Sequence, residues 1–214
     1  MSSFGLDPAH YITLPSFVWD AMLKHTKVEL ELLTDIDMLH FFQSSIRGGL
    51  STAVKRYAKA NNKYMGEKYN PSIPDSYLMY YDINNLYGAI MISKLPECGF
   101  KWVNYDPDML KKSIDSDIGY FFECDLRVPP NLHDFFNDLP LAPSKATPPG
   151  SNHPKLLATL YDKKNCILHE RNLKQCLDLG VELVRVHRVI EFEQSCCLRP
   201  FVELNTLLRQ YAAN

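Results

Sequence analysis

The sequence has no apolar run near the roughly 18 residues that would span a bilayer. Its longest, Tyr87-Gly-Ala-Ile-Met-Ile92, suits a strand or half a helix. Met1-Ser-Ser-Phe-Gly-Leu-Asp-Pro8 carries neither the basic nor the apolar stretch of a secretory signal, so none is expected. It has no CxxC pair among its six cysteines, at 98, 124, 166, 176, 196 and 197. Adjacent Cys196 and Cys197 make a poor pair of ligands for one zinc, so the expectation is reduced, mostly buried thiols. It has no excess of either charge: 23 Lys and Arg face 25 Asp and Glu, a net of −2. No global electrostatic footprint for nucleic acid results, although carboxylates that hold metal ions can offset lysines in an enzyme of nucleic acids. There is no internal repeat. What remains is ordinary globular composition, 46% hydrophobic and 22% charged over 214 residues, enough for one large domain or two small ones. The expectation is a soluble, intracellular chain with no membrane partner.

Helix signals open the chain. Pro15 can be accepted in a first turn, and Phe17, Val18, Ala21 and Met22 follow at helical spacing. Thr34 reads as the N-cap of a second helix carrying Ile36, Leu39, Phe42 and Ile46, with Asp35 and Asp37 at its positive end and Gly48-Gly49 as its stop. Residues 47–70 then carry Arg47, Lys55, Arg56, Lys59, Lys63 and Lys68 against Glu67 alone, with Tyr57, Tyr64 and Tyr69 interleaved. Cations with aromatics compose a surface that tracks a nucleic-acid backbone; a solvated helix face followed by a loop is the plainer alternative.

Strand signals follow at 77–83 and 119–128. The stretch between them, 97–117, reads as polar and turn-rich, and 131–137 as a short helix. A Pro-, Ser- and Gly-dense loop spans 140–154, long enough to suggest function or mobility. A strand over 155–161, a helix over 170–179 stopped by Gly180, a long strand over 181–192 and a final helix over 198–213 complete the pattern. Separated helices with apparently antiparallel strands point to an α+β fold.

One block carries chemistry: Tyr81-Asp82-Ile83-Asn84-Asn85-Leu86-Tyr87-Gly88. A carboxylate at the end of an apolar strand is poorly solvated unless something positive neutralises it. A hard oxygen fixed there is what a divalent-ion site for phosphoryl chemistry needs. The bland alternative is an Asp that caps the following turn. His169 and His187 pair with no carboxylate at ligand spacing and read as surface or strand-face histidines. Lys163-Lys164 and the stretch 171–174 could touch phosphate or simply be solvated.

Asp-Ile-Asn-Asn-Leu-Tyr-Gly88 resembles motif A of family B DNA polymerases, usually Asp-x-x-Ser-Leu-Tyr-Pro, and its ending resembles the protein-primed branch of Polinton/Maverick-type transposons, viruses and plasmids. Gly5-Leu-Asp-Pro-Ala-His-Tyr11, Trp19-Asp-Ala-Met-Leu23, Glu31-Leu-Leu-Thr-Asp-Ile-Asp-Met38, Ile46-Arg-Gly-Gly49, Arg56-Tyr-Ala-Lys-Ala-Asn-Asn62 and Val189-Ile-Glu-Phe-Glu-Gln-Ser195 resemble that branch in order and spacing. The resemblance implies that Asp82 binds catalytic Mg²⁺ and the incoming triphosphate. It implies that Tyr87 is a steric gate against a 2′-hydroxyl, and that Ile83 and Leu86 lie near the nucleotide. Ile46-Arg47-Gly48-Gly49 resembles the Tyr-x-Gly-Gly element that contacts template, where only Gly lets backbone amides approach a phosphate. Lys55, Arg56 and Lys59 would join Arg47, Gly48 and Gly49 in binding DNA. Implied partners are template–primer DNA, deoxynucleoside triphosphates and a terminal protein primer, the last contacted by an insertion after motif A.

The implied layout is a helical segment over 1–45 following an exonuclease domain, a basic linker over 46–76, a partial palm with motif A and an insertion over 77–197, and the start of a fingers helix over 198–214. The antiparallel palm sheet would form around 77–83, 119–128 and 181–192. Departures accompany the match. Ile46 stands where Tyr is usual, and Asn85 and Gly88 replace Ser and Pro, loosening the turn. No Asp-Thr-Asp and no Lys-x-x-x-Asn-Ser-x-Tyr-Gly occur. The expectation is therefore a polymerase fragment, a truncated gene product or decayed mobile-element copy, inactive alone and supplying one ligand of a two-ion site. Two alternatives stand beside it. One is a non-catalytic nucleic-acid-binding remnant. The other is an unrelated α+β metal-dependent hydrolase that takes Asp125 as its second carboxylate.

Overall fold

The computed structural model describes residues 4–112 and 114–212. Helix α1 spans Leu14–Thr26; Thr13 caps it by accepting from the Ser16 amide, and Pro15 occupies its first turn. Helix α2, Ile36–Ser45, is capped by Asp35 rather than Thr34, because the Asp35 carboxylate accepts from the amides of Asp37 and Met38. After a short helix α3, Leu86–Met91, come strands β1, Leu95–Val103, and β2, Ile118–Arg127. A one-turn helix α4, His133–Phe136, precedes a small hairpin of β3, Ser144–Ala146, and β4, Lys155–Leu157. Strand β5, Lys163–His169, leads into α5, Glu170–Asp178; strand β6, Glu182–Ser195, leads into α6, Arg199–Tyr211.

Four strands form one antiparallel sheet in the order β1-β6-β2-β5. Alternation along the strands gives it two apolar faces. Tyr120, Phe122, Cys124 and Leu126 of β2, with Cys166 and Leu168 of β5, pack against Leu173 and Cys176 of α5. On the other face Ile167, Ile190 and Phe192 meet Met38 and Phe41 of α2, with Phe42, Phe100 and Phe121 around them. A third cluster joins Ala21 and Met22 of α1 to Leu198 and Phe201 of α6, with Met91 and Leu95 beside them.

Four expectations need correction. Residues 77–83 form no strand, and every one of them is exposed. Their apolar side chains and backbone groups meet no partner strand among the described residues, and a ladder needs two strands. The 97–117 stretch is mostly β1 and a 3₁₀ turn at Pro107–Lys111; two register shifts, at Pro96/Cys98 and Cys98/Lys101, broke the alternation that would have signalled the strand. The strand expected over 155–161 ends at Leu157, and β5 begins at Lys163. The last helix stops at Tyr211, where Ala212 turns extended at φ −66°, ψ 125°; Ala213 lies outside the described residues. No helix among the described residues is long and apolar enough to cross a membrane.

Candidate nucleotide and nucleic-acid site

Asp82 lies in the exposed 77–83 stretch, immediately before the turn that opens α3. Asn85 makes this turn possible by adopting the left-handed region at φ 52°, ψ 43°, which Asn enters more readily than other residues with side chains. The Asn85 side chain folds back over Gly88. A Cβ on Gly88 would stand 2.4 Å from the Asn85 amide nitrogen. The two departures from the family pattern thus fit each other: the space vacated at 88 is filled from 85, so the turn is not left loose.

Gly88 is buried while Tyr87 beside it is 86% exposed. Asn85, Gly88, Ala89 and Ile92 form one face of α3 and line a groove of about 520 Å³ against Val202, Glu203, Thr206 and Leu207 of α6. Tyr87 is outside that lining. Ile83 and Leu86 are 67% and 47% exposed. The Asp82 carboxylate has no hydrogen-bond or ion-pair partner among the described residues. It is a hard oxygen donor open to a divalent cation, and fits as one ligand. No group of three His, Cys, Asp or Glu side chains among the described residues is arranged to hold a metal ion.

The basic stretch divides on inspection. Arg47 is partly buried, and its guanidinium is a clasp between the linker and the sheet. Nε donates to the Pro143 carbonyl at 2.8 Å, Nη1 to Ser45 and Ile167 carbonyls at 3.0 and 2.6 Å, and Nη2 to Cys166 Sγ at 3.2 Å. A guanidinium has five N–H donors, so a single N–H is left for a phosphate. Lys55 Nζ lies 3.3 Å from Asp138, both well exposed, a pairing of little energetic weight. Arg56 and Lys59 are exposed cations on irregular chain, not on a helix face. Gly49 sits at φ 72°, which a side chain rarely adopts, and a Cβ on Gly48 would meet nothing within 4 Å.

Arg47→Ala is expected to lower unfolding free energy by about 2–3 kcal/mol, the scale of hydrogen bonds made by a charged group whose partners are then left unpaired. Urea denaturation measures it. An unchanged midpoint would show that Arg47 does not tie linker to sheet.

Other candidates resolve as structure. Lys163 is 3% exposed, with Nζ bonded to the Thr159 carbonyl and hydroxyl at 2.8 Å. Lys174 Nζ reaches the Lys112 carbonyl at 2.6 Å. Lys164 remains exposed. His169 caps α5, its Nδ1 accepting from the Arg171 amide at 3.1 Å, and burial among Phe121 and Phe192 pushes its pKa down to about 4. His187, expected to lack a carboxylate, pairs with Asp125 at 3.0 Å across β2 and β6. The Asn165 amide donates to the same Asp125 oxygen at 2.8 Å. Those bonds hold the Asp125 carboxyl below its usual range.

A family model described as DNA polymerase type B, organellar and viral, matches residues 21–214. No curated protein matches the sequence. Among solved structures, Phi29 DNA Polymerase in an orthorhombic crystal form is 12% identical with a TM-score of 0.55, over 94% of this chain and 33% of that one. The two share a fold, and the chain spans about a third of the solved polymerase's length.

Proposed function

Because the chain belongs to the organellar and viral type B DNA polymerases, we propose that it supplies the motif A corner of a DNA-synthesising site, with Asp82 as a ligand for Mg²⁺ and Tyr87 as the gate beside the deoxyribose. The observation that carries this reading is the placement of two neighbouring groups. A carboxylate with no partner among the described residues and a solvent-facing tyrosine flank one tight turn whose interior is packed by Asn85 against Gly88. The packed turn fixes the start of the helix that carries Tyr87, five residues after Asp82, and nucleotide selection requires such positioning.

Asp82 would hold a divalent ion, which would supply neutralisation of the triphosphate and of the departing pyrophosphate. The chain's own contribution is positional. Asp82 offers its oxygens from an exposed edge, Leu86 and Ile83 flank the nucleotide, and the phenol ring of Tyr87 fills the space a 2′-hydroxyl would need. The incoming deoxynucleoside triphosphate and template–primer DNA are the partners this reading requires. The sheet of β1, β6, β2 and β5 is built wholly from residues after motif A; this supports reading it as the insertion of protein-primed enzymes, facing a terminal protein and duplex DNA, in place of the palm sheet that the sequence pattern suggested over 119–128 and 181–192.

DNA tracking falls to Lys55, Arg56 and Lys59, with the Gly48 and Gly49 amides and the remaining N–H of Arg47. Each phosphate contact on a single strand contributes about 0.7 unit to the slope of log K against log salt. Changing Lys55, Arg56 and Lys59 together to Ala is therefore expected to flatten that slope by about two units, with little change in sequence preference. The check is a salt titration of single-stranded DNA binding for wild type and triple variant. Parallel lines would mean that these cations are only solvated, since exposed charges farther than roughly 10 Å are screened at 0.1 M salt.

A further inference from the structure

The segment between the basic linker and motif A is ordered by two asparagines. Asn61 and Asn62 are 7% and 6% exposed in a stretch that is otherwise mostly open. The Asn61 backbone pairs with Ser76 through two hydrogen bonds, 3.1 and 2.7 Å. Its side-chain Nδ2 donates to the carbonyls of Asn70, Ile73 and Pro74 at 3.0, 3.3 and 3.4 Å, while Oδ1 accepts from the Asn70 amide at 2.9 Å. Asn62 repeats the pattern one residue on. Its Nδ2 donates to the Ser76 carbonyl at 3.0 Å and its Oδ1 accepts from the Tyr64 amide at 3.1 Å. Loop closure costs entropy, and here satisfied buried amides offset it.

This closed loop displays an aromatic ring with a cation beside it. Tyr64 is 79% exposed although its backbone is pinned through Asn62, and Lys63 Nζ lies 5.4 Å from the ring centroid. A tyrosine used for packing would be covered. One held rigidly in water next to an ammonium group has a free π-face and a nearby phosphate partner, the combination that binds unpaired bases. Tyr57, 80% exposed, precedes it on the same stretch.

We infer that residues 61–76 form a preorganised single-strand-binding loop, with Tyr64 stacking on an unpaired DNA base, Lys63 meeting the adjoining phosphate, and Asn61 as the positioning residue that keeps the loop closed. The inference rests on the DNA-tracking reading and deepens it. The loop closes on Ser76, immediately before the stretch that carries Asp82. The strand would thus be gripped by its bases on the loop that leads into the Asp82 stretch, in addition to the phosphate contacts of Lys55, Arg56 and Lys59.

Two oligonucleotides separate base stacking from charge: a 12-nucleotide oligo-dT and an abasic strand of the same length and charge. Residues 1–214 are expected to bind oligo-dT more tightly. Tyr64→Leu should weaken oligo-dT binding at least about fivefold, the lower end of what one stacked base contributes, and leave abasic binding unchanged. Tyr64→Phe should behave as wild type. Asn61→Ala should reproduce the loss with Tyr64 intact and speed hydrogen exchange at the Asn70 and Ser76 amides. Equal oligo-dT binding by wild type and Tyr64→Leu would overturn the inference, while a flattened salt slope in the triple variant would leave the DNA-tracking reading standing. Failure of the wild type to bind either strand would overturn both.

Discussion

Asp82→Asn is expected to reduce DNA synthesis by on the order of a thousandfold or more in a polypeptide that joins residues 1–214 to the second carboxylate motif. The change keeps the volume of the side chain and removes its charge. Charge neutralisation at a transferring phosphoryl group contributes several kcal/mol, and each 1.36 kcal/mol is a factor of ten in rate. Folding should be untouched, because Asp82 is exposed and has no partner among the described residues, and such surface changes usually cost less than about 0.5 kcal/mol. Residues 1–214 by themselves are expected to give no magnesium-dependent primer extension, since they carry one carboxylate motif where the two-ion chemistry uses two. Extension by 1–214 that Asp82→Asn abolished would show that the second carboxylate lies within this chain.

The second large effect concerns the sugar. On the proposed reading, the Tyr87 ring, which follows the Asn85 turn after Asp82, is the group that excludes a 2′-hydroxyl. Tyr87→Ala is expected to raise ribonucleotide use relative to deoxyribonucleotide by roughly tenfold to a hundredfold, the range that one steric contact in a pocket commands. Deoxyribonucleotide incorporation should fall far less. Tyr87 is 86% exposed, so its removal opens no cavity, and the readout is not confused with instability. Unchanged discrimination would make Tyr87 an ordinary exposed aromatic and misplace the motif.

Local patterns carried much of the fold. Pro15, Phe17 and Ala21 marked α1; Gly180 marked the end of α5; period-two alternation marked β2. The α+β class followed from them. Long-range pairing decided what was missed. Residues 77–83 have a strand's composition, yet composition cannot supply a partner strand. β1 was hidden by Pro96, Gly99 and its register shifts, and is held because β6 pairs along both edges, with β1 through residues 189–195 and with β2 through residues 182–193.

The same limit applies at the site. Asp82 and Tyr87 stand on either side of one turn, so a local pattern is enough to propose them. Arg47 stood in a basic run and read as a free cation, but its acceptors come from Pro143, Cys166 and Ile167. His187 and Asp125 are likewise joined only by the ladder between β6 and β2. The sequence reading took Asn85 and Gly88 to loosen the turn; their fit across three residues shows only in the structure.

The central claim is that Asp82 and Tyr87 face one bound nucleotide and act on different parts of it. Single-nucleotide incorporation measures this most directly, with matched deoxyribo- and ribonucleoside triphosphates given to wild type, Asp82→Asn and Tyr87→Ala in the same joined polypeptide. The account predicts that Asp82→Asn loses both substrates alike, leaving their ratio unchanged, whereas Tyr87→Ala keeps deoxyribonucleotide incorporation and loses the preference. Retained synthesis in Asp82→Asn, or an unchanged preference in Tyr87→Ala, would contradict it.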